Sequence, residues 1–314
     1  MLIAGPNLTI DRTATLPELR PGEVLRFERV VVTPGGKGLN VARAARALGA
    51  PALLVSFVAG ETGRAGAQMI EREGVPLLAI PCAGEMRSTA IVMERGGRTT
   101  VLNEPGPEIT AAEWAALEAA IAEELARHGV LVCCGSVPPG APPDAYARLA
   151  GLAADAGRPS VVDAAGKTLG RALDARPDVV TPNVSEAEEV MSGVPGTTEV
   201  ASPSDSRPRA LAAATGLVVR GARAALVTAD AAGAALATAG GTEWLPAPRI
   251  AHVRNPIGAG DVLTSGLAAA LERGEPLLEA ARHGIAAAAA SVESPTAGEL
   301  DPARARELLA TLGH

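Results

Sequence analysis

The sequence predicts an α/β protein built on a mostly parallel central sheet. From about Thr110 onward, short apolar runs alternate with longer helix-length stretches, the rhythm of repeated βαβ units. The apolar runs are also continuous, as in Ala224 to Val227, which suits strands buried on both faces. The composition agrees: 47% of residues are hydrophobic but only 2% aromatic, so the core is built from Ala, Val and Leu packed closely by helices lying on a sheet.

Taken along the chain, residues 13–33 read as short strand-like runs broken by turns, followed by a helix over Val41 to Leu48. Met86 to Glu94 and Arg98 to Leu102 flank the turn Gly96-Gly97 and read as a hairpin. Segments 13–33 and 86–103 together are expected to form a small β lid. Residues 1–12, 34–85 and 104–314 then form the α/β core. A helix over Ala111 to Arg127 opens at Thr110, which with Glu113 has capping-box spacing; Ser185 with Glu188 offers a second such box. Strand Val130 to Cys134, helix Pro143 to Ala156 and strand Ser160 to Val162 continue the pattern. Ser202 to Arg209, rich in Ser, Pro and Arg, reads as a flexible surface loop. Helical stretches at Val262 to Leu271 and Leu277 to Ser291 close the chain.

Several function classes are disfavoured at once. The formal net charge is −7, from 28 Lys and Arg against 35 Asp and Glu, with no long basic run, so nucleic acid is not an expected partner. No apolar run is long enough to span a bilayer, and no signal-like N-terminus is seen, which reads as a cytoplasmic protein. Cys82, Cys133 and Cys134 have no C-x-x-C spacing and read as reduced, partly strand-buried thiols. The four histidines have no zinc-ligand spacing. Gly166-Lys167-Thr168 ends like a Walker A loop, but Val161 stands where its first glycine belongs. The dinucleotide fingerprint fails because Val41 replaces its last glycine, and a nucleophile elbow at Ser136 fails because Cys134 stands where its first glycine belongs.

Two constellations carry chemistry. Gly258-Ala259-Gly260-Asp261 precedes an apolar helix, where free N–H groups and the helix dipole favour a phosphate; taken alone, a carboxylate such as Asp261 is more often an N-cap. Gly35-Gly36-Lys37-Gly38-Leu39-Asn40 also runs into a helix. Its glycines permit close backbone approach to a small polar ligand, and Asn40 can hydrogen-bond hydroxyls; a glycine-rich turn with a solvated lysine explains the same residues.

Together, Gly35 to Arg43 and Gly258 to Asp261 resemble the two signatures of the PfkB, or ribokinase-like, sugar kinases. Gly135-Ser136-Val137-Pro138-Pro139-Gly140 resembles that family's G-S-[LV]-P-P-G turn, and Pro182-Asn183 with Glu186 its N-x-x-E motif. The resemblance covers essentially the whole chain. It implies a three-layer sandwich with a β-sheet lid, and a homodimer paired through lid edges. Pro6 to Arg12, Lys37, Arg87 and Glu104 to Glu108 are most similar to the phosphosugar branch, which includes 1-phosphofructokinase and tagatose-6-phosphate kinase.

The resemblance implies transfer of the ATP γ-phosphate to a hydroxyl of a hexose phosphate, fructose-1-phosphate or tagatose-6-phosphate. Asp261 would be the general base, and the N–H groups of Gly258, Ala259 and Gly260 the anion hole. Asp11, Gly36, Lys37 and Asn40 would hold the sugar and Arg87 its phosphate, with Arg43 facing solvent. Asn183 and Glu186 would organise Mg²⁺ through water. The nucleotide would lie near Asn183, Thr228, Gly233, Gly258, Gly260 and Gly284. Departures from the pattern are Asp230 in the Thr228 to Gly233 segment, Thr181 in a place often held by lysine, Asp163-Ala164-Ala165-Gly166 without the usual hydroxyl residues, and Met86 before Arg87. They leave two alternatives open: a kinase for an unphosphorylated sugar or nucleoside, and a catalytically silent sugar-phosphate-binding protein.

Overall fold

The computed structural model describes residues 1–193 and 203–312. Its strands are β1 (Leu2–Ala4), β2 (Thr9–Leu16), β3 (Arg29–Gly35), β4 (Leu53–Ala59), β5 (Leu77–Cys82), β6 (Arg87–Glu94) and β7 (Thr99–Asn103). They continue with β8 (Leu131–Cys134), β9 (Ser160–Asp163), β10 (Val179–Val180), β11 (Ala224–Thr228), β12 (Gly233–Thr238) and β13 (Gly241–Pro246). The helices are α1 (Lys37–Ala47), α2 (Gly60–Arg72), α3 (Ala111–Glu124), α4 (Ala145–Asp155) and α5 (Gly166–Ala172). After them come α6 (Val184–Ser192), α7 (Pro203–Val219), α8 (Ala259–Glu272), α9 (Leu277–Ser291) and α10 (Pro302–Thr311).

Nine strands form one sheet in the order β13-β12-β11-β10-β9-β8-β1-β4-β5. Pairing is parallel from β11 through β5, and antiparallel only where β12 and β13 extend the edge. The central strands are largely apolar, because helices cover both faces; Ser56, Ser160 and Asp163 are their buried polar residues. One face packs Leu2, Val55, Leu131 and Val162 against Trp114, Leu117, Leu149 and Leu217 of α3, α4 and α7. The other packs Ile3, Leu54, Val132 and Val161 against Leu39, Val41, Leu263 and Leu267 of α1 and α8. Adjacent residues thus serve opposite layers, as the two-residue period of a strand requires.

With few aromatics, close packing comes from small side chains. Helices α8 and α9 cross where Gly266 and Gly284 face each other: a Cβ on Gly284 would lie 2.7 Å from the Leu263 carbonyl oxygen, and one on Gly266 only 3.1 Å from the Gly284 Cα. Alanine faces from both helices fill the surrounding space. This crossing matters because α8 carries Asp261 in its first turn.

The second sheet has four strands in the order β3-β2-β6-β7. β6 and β7 form the antiparallel hairpin expected around Gly96-Gly97, and β2 joins it in parallel through β6. β2 starts at Thr9 and β3 ends at Gly35, so the small sheet runs directly into the glycine-rich segment ahead of α1. Val30, Val31, Val32, Met93, Val101 and Leu102 on its strands are exposed.

Two local expectations need correction. Residues 203–209 lie in α7, not in a loop: Arg209 makes a two-pronged ion pair with Glu188, at 2.8 and 2.6 Å, and Arg207 stacks over Trp244 at 5.5 Å. Pro208 removes one N–H near the start of the helix, a loss these tertiary contacts offset. Ser202 lies outside the described residues. The capping box of α6 is Asn183 with Glu186, not Ser185 with Glu188. Ser185 is already helical, and Asn183 holds the extended backbone an N-cap needs. The box at Thr110 and Glu113 forms as expected.

Candidate active site

The site is assembled where β1, β8 and β9 end and α1 and α8 begin. Gly36 caps α1 at φ +108°, a conformation open to glycine and strained for other residues. Gly5 at the exit of β1 touches α1 so closely that a Cβ there would lie 2.7 Å from the Gly38 Cα. That backbone approach sets Lys37 and Asn40 over the sheet end. Gly258, at φ +83°, turns the chain into α8, and the N–H groups of Gly260 and Asp261 fall in the first turn, where no helical carbonyl is available to them. The Ala259 N–H is already directed at the Pro256 carbonyl, at 3.3 Å.

Asp261 is buried, 5% exposed, and its Oδ2 accepts a 2.8 Å hydrogen bond from the Asn40 amide. The Lys37 ammonium donates to Asp163 Oδ1 at 2.8 Å and lies 4.0 Å from Glu186 Oε1. Thr264 donates to the other Asp163 oxygen at 3.3 Å and pairs with Thr181 at 2.9 Å, so the residue in the unusual position 181 is tied into the same network. Asp163, in the segment whose missing hydroxyls were noted in the sequence, is the central acid that sequence reasoning missed.

Burial pushes the Asp261 carboxyl up, to about 7; Lys37 and the Asn40 hydrogen bond oppose this, while Asp163 and Glu186 reinforce it. Burial also opposes charge on Lys37, but Asp163, Asp261 and Glu186 outweigh it and hold the side chain as an ammonium. Burial likewise raises Glu186 and Asp11, with Lys37 pulling the first back and Arg87 and Arg43 the second.

Beside this cluster opens a cleft of about 750 Å³ lined by Asn7, Lys37, Arg87, Glu104 and Ser136 among others. Asp261 is not itself in this lining; it is tied to it through the charge of Lys37. Arg87 is anchored by donating to the Asn7 carbonyl at 3.0 Å, and Asn7 donates to Ser136 Oγ at 3.0 Å. The Asn7 Oδ1 is buried with no partner among the described residues. Asp11 sits on β2 opposite Thr33, and its carboxylate occupies the space a side chain at Gly35 would need.

Of the residues expected at a nucleotide, Asn183, past the end of β10, and Thr228, the last residue of β11, are neighbours joined by an isolated parallel bridge. Gly233 and Gly284 have packing explanations: a Cβ at Gly233 would lie 2.2 Å from the Leu245 carbonyl oxygen, and Gly284 is the helix crossing. Asp230, at φ 49°, is exposed. Arg43 does not face solvent as expected. It is 11% exposed and grips Glu73.

Comparison with known proteins agrees with this arrangement. Residues 7–304 match the pfkB family carbohydrate kinase. The chain belongs to this family. The kinase is therefore a phosphotransferase that uses ATP and an alcohol acceptor. It is 30% identical over 291 residues to the ATP-dependent 6-phosphofructokinase isozyme 2 of Mycobacterium tuberculosis, covering 92% of this chain and 83% of that one. It is 31% identical over 283 residues to the 1-phosphofructokinase of Rhodobacter capsulatus, covering 88% and 85%. Its structure superposes on that of Escherichia coli phosphofructokinase-2 in complex with fructose-6-phosphate with a TM-score of 0.85 at 25% identity, covering 100% of this chain and 99% of the other. An Arabidopsis thaliana ribokinase, 21% identical with a TM-score of 0.78, shares the fold over 98% of both chains. The three-layer, ribokinase-like architecture expected from the sequence is thereby shown. Among the described residues no helix is long and apolar enough to cross a membrane.

Proposed function

We propose that this kinase transfers the γ-phosphate of ATP to a hydroxyl of a hexose phosphate, with a fructose phosphate as the leading acceptor. The observation that carries the reading is the buried Asp261, bonded to Asn40 and electrostatically coupled to Lys37, at a helix N-terminus beside a cleft that also holds Arg87. The three phosphofructokinases named above act, by their names, on fructose phosphates, which supports the acceptor class; the ribokinase speaks to the fold alone. Tagatose-6-phosphate is the alternative acceptor of the same class.

In this mechanism Asp261 takes the proton of the acceptor hydroxyl as its oxygen bonds to the γ-phosphorus. The bond from that phosphorus to the bridging oxygen breaks, and ADP leaves with the electron pair. A carboxyl raised to about 7 suits a base working near neutrality. First-turn N–H groups at Gly260 and Asp261, with the positive end of α8, face the charge that develops on the transferring group. Arg87 supplies a guanidinium to the phosphate the sugar already carries, while Asp11, Gly36, Lys37 and Asn40 hold hydroxyls.

The donor set fits a hydrated Mg²⁺. Among the described residues no cluster of three or more His, Cys, Asp or Glu is placed to hold a metal by itself. Asn183 and Glu186 each spend one oxygen on their capping box, and Glu186 Oε1 remains beside Lys37. Such residues would hold the ion through water and nucleotide phosphate, the usual way for Mg²⁺ at kinase sites, and the ion would neutralise phosphate charge there.

The small sheet is read as a lid whose closure excludes water, so that ATP is not hydrolysed. Its exposed valines, Met93 and Leu102 are read as the face of a homodimer. An ADP-release assay across fructose-1-phosphate, fructose-6-phosphate, tagatose-6-phosphate, ribose and adenosine tests the assignment. The expected result is turnover confined to phosphosugars, and faster turnover with ribose or adenosine overturns it.

A further inference from the structure

Helix α1 places Lys37, Asn40 and Arg43 on one face, one helical turn apart. Arg43 is not a surface cation. Its Nε and Nη2 each donate to a Glu73 carboxylate oxygen at 2.7 Å, Nη2 also donates to the Pro34 carbonyl at 2.9 Å, and Nη1 donates to Asn40 Oδ1 at 3.2 Å. Glu73 is the C-cap of α2, so the guanidinium is clamped between two helices and the segment entering α1.

A guanidinium has only donors. The Asn40 amide therefore has one satisfactory sense: Oδ1 toward Arg43 and the NH₂ toward Asp261, where Nδ2 lies 2.8 Å from Oδ2. The reverse sense would set NH₂ against guanidinium and carbonyl against carboxylate, leaving both ends unpaired. The other charged groups around Asp261 are Lys37, Asp163 and Glu186, which act on it directly, whereas Arg43 reaches it only through the amide.

We infer that Arg43, braced by Glu73, is a positioning residue for phosphoryl transfer: it locks the Asn40 amide so that its donor engages Asp261 Oδ2 and directs Oδ1 to the acceptor hydroxyl. The inference rests on Asp261 being the base. It extends the functional machinery to two residues, Arg43 and Glu73, that touch no reactant.

The test is a kinetic cycle of Arg43→Met, Asn40→Ala and the double variant, with Arg43→Lys, Glu73→Gln and Asp261→Asn alongside. Each is assayed with ATP and whichever of fructose-1-phosphate or fructose-6-phosphate supports ADP release in the wild-type kinase. Arg43→Met is expected to lower kcat at least about tenfold with less than about a twofold change in KM for ATP. Arg43→Lys should recover part of the loss, Glu73→Gln should show a smaller loss, and the double variant should be no slower than Asn40→Ala alone. A merely structural role would give additive losses and no rescue, and that result overturns the inference. So does an Arg43→Met kcat within about twofold of wild type while Asp261→Asn loses about a hundredfold, an outcome that leaves the base in place. Near-normal turnover in Asp261→Asn, or no turnover of either fructose phosphate by the wild-type kinase, strikes the functional reading itself and removes the relay with it.

Discussion

Replacing Asp261 by Asn is expected to abolish most turnover and at the same time to make the protein more stable. The carboxyl is buried, and its value rises from 3.8 to about 7 on folding, an increase already net of the attraction of Lys37 and the Asn40 bond. A group whose folded value is raised stabilises the fold below its unfolded value, and this contribution is lost as pH rises through the folded one. The loss for Asp261 therefore runs from about pH 4 to about pH 7. At 1.4 kcal/mol per unit the full shift is worth about 4 kcal/mol; neighbouring Asp163 and Glu186, which share the same field, bring a practical expectation to about 2–4 kcal/mol. Asparagine carries no such penalty and can still accept from Asn40. At about 2 °C per kcal/mol for a chain of this length, Tm at pH 8 should exceed that of wild type by about 4–8 °C. The gap should fall to under about half at pH 5. Thermal unfolding of ligand-free protein at both pH values measures it, and the same preparation should show kcat reduced by about 10² or more. A variant less stable than wild type at pH 8, or a gap indifferent to pH, refutes the reasoning about the buried charge.

Other perturbations probe the surrounding residues. Lys37→Met leaves the buried Asp163 without its ammonium; because 36% of the Lys37 side chain is open to solvent, the expected cost is about 2 kcal/mol, to be measured by urea unfolding. Adding Asp163→Asn should restore at least half of it, and a double variant no more stable than the single one contradicts the pairing. Arg87→Ala should raise KM for the phosphosugar about tenfold with KM for ATP unmoved, while a rise below about threefold withdraws the phosphate contact. The wild-type pH profile of kcat/KM should fall on the acid side of about pH 7, because protonated Asp261 accepts no proton; a limb near pH 4 would place the base elsewhere. Val31→Glu with Leu102→Glu should convert a dimer to monomers in light scattering, and an unchanged mass shows that the lid face is not the contact.

What was legible in the sequence was what short stretches encode by themselves. Gly258-Ala259-Gly260-Asp261 specifies a left-handed turn and a helix start within four residues, and the Thr110 box lies within one turn. The hairpin at Gly96-Gly97 is equally local. Asp163 was hidden because its partner Lys37 lies 126 residues away, and nothing next to it hints at an ammonium. Arg43 misled for a similar reason: its spacing on α1 reads as an exposed turn until α2 brings Glu73 against it. The start of α7 was obscured by Ser and Pro, whose local preference was overridden by Glu188 and Trp244. Pocket partners such as Asn7, Ser136 and Glu104 come from three separate loops, which the fold brings together and the Asn7 amide ties to one another.

The glycine pair between α8 and α9 has a mechanical corollary. With Gly266 and Gly284 bringing the two backbones this near, little room is left for one helix to shift without the other. A single methyl at position 284 would lift α8 bodily, and the same displacement would be delivered to its tip, where the proton changes hands.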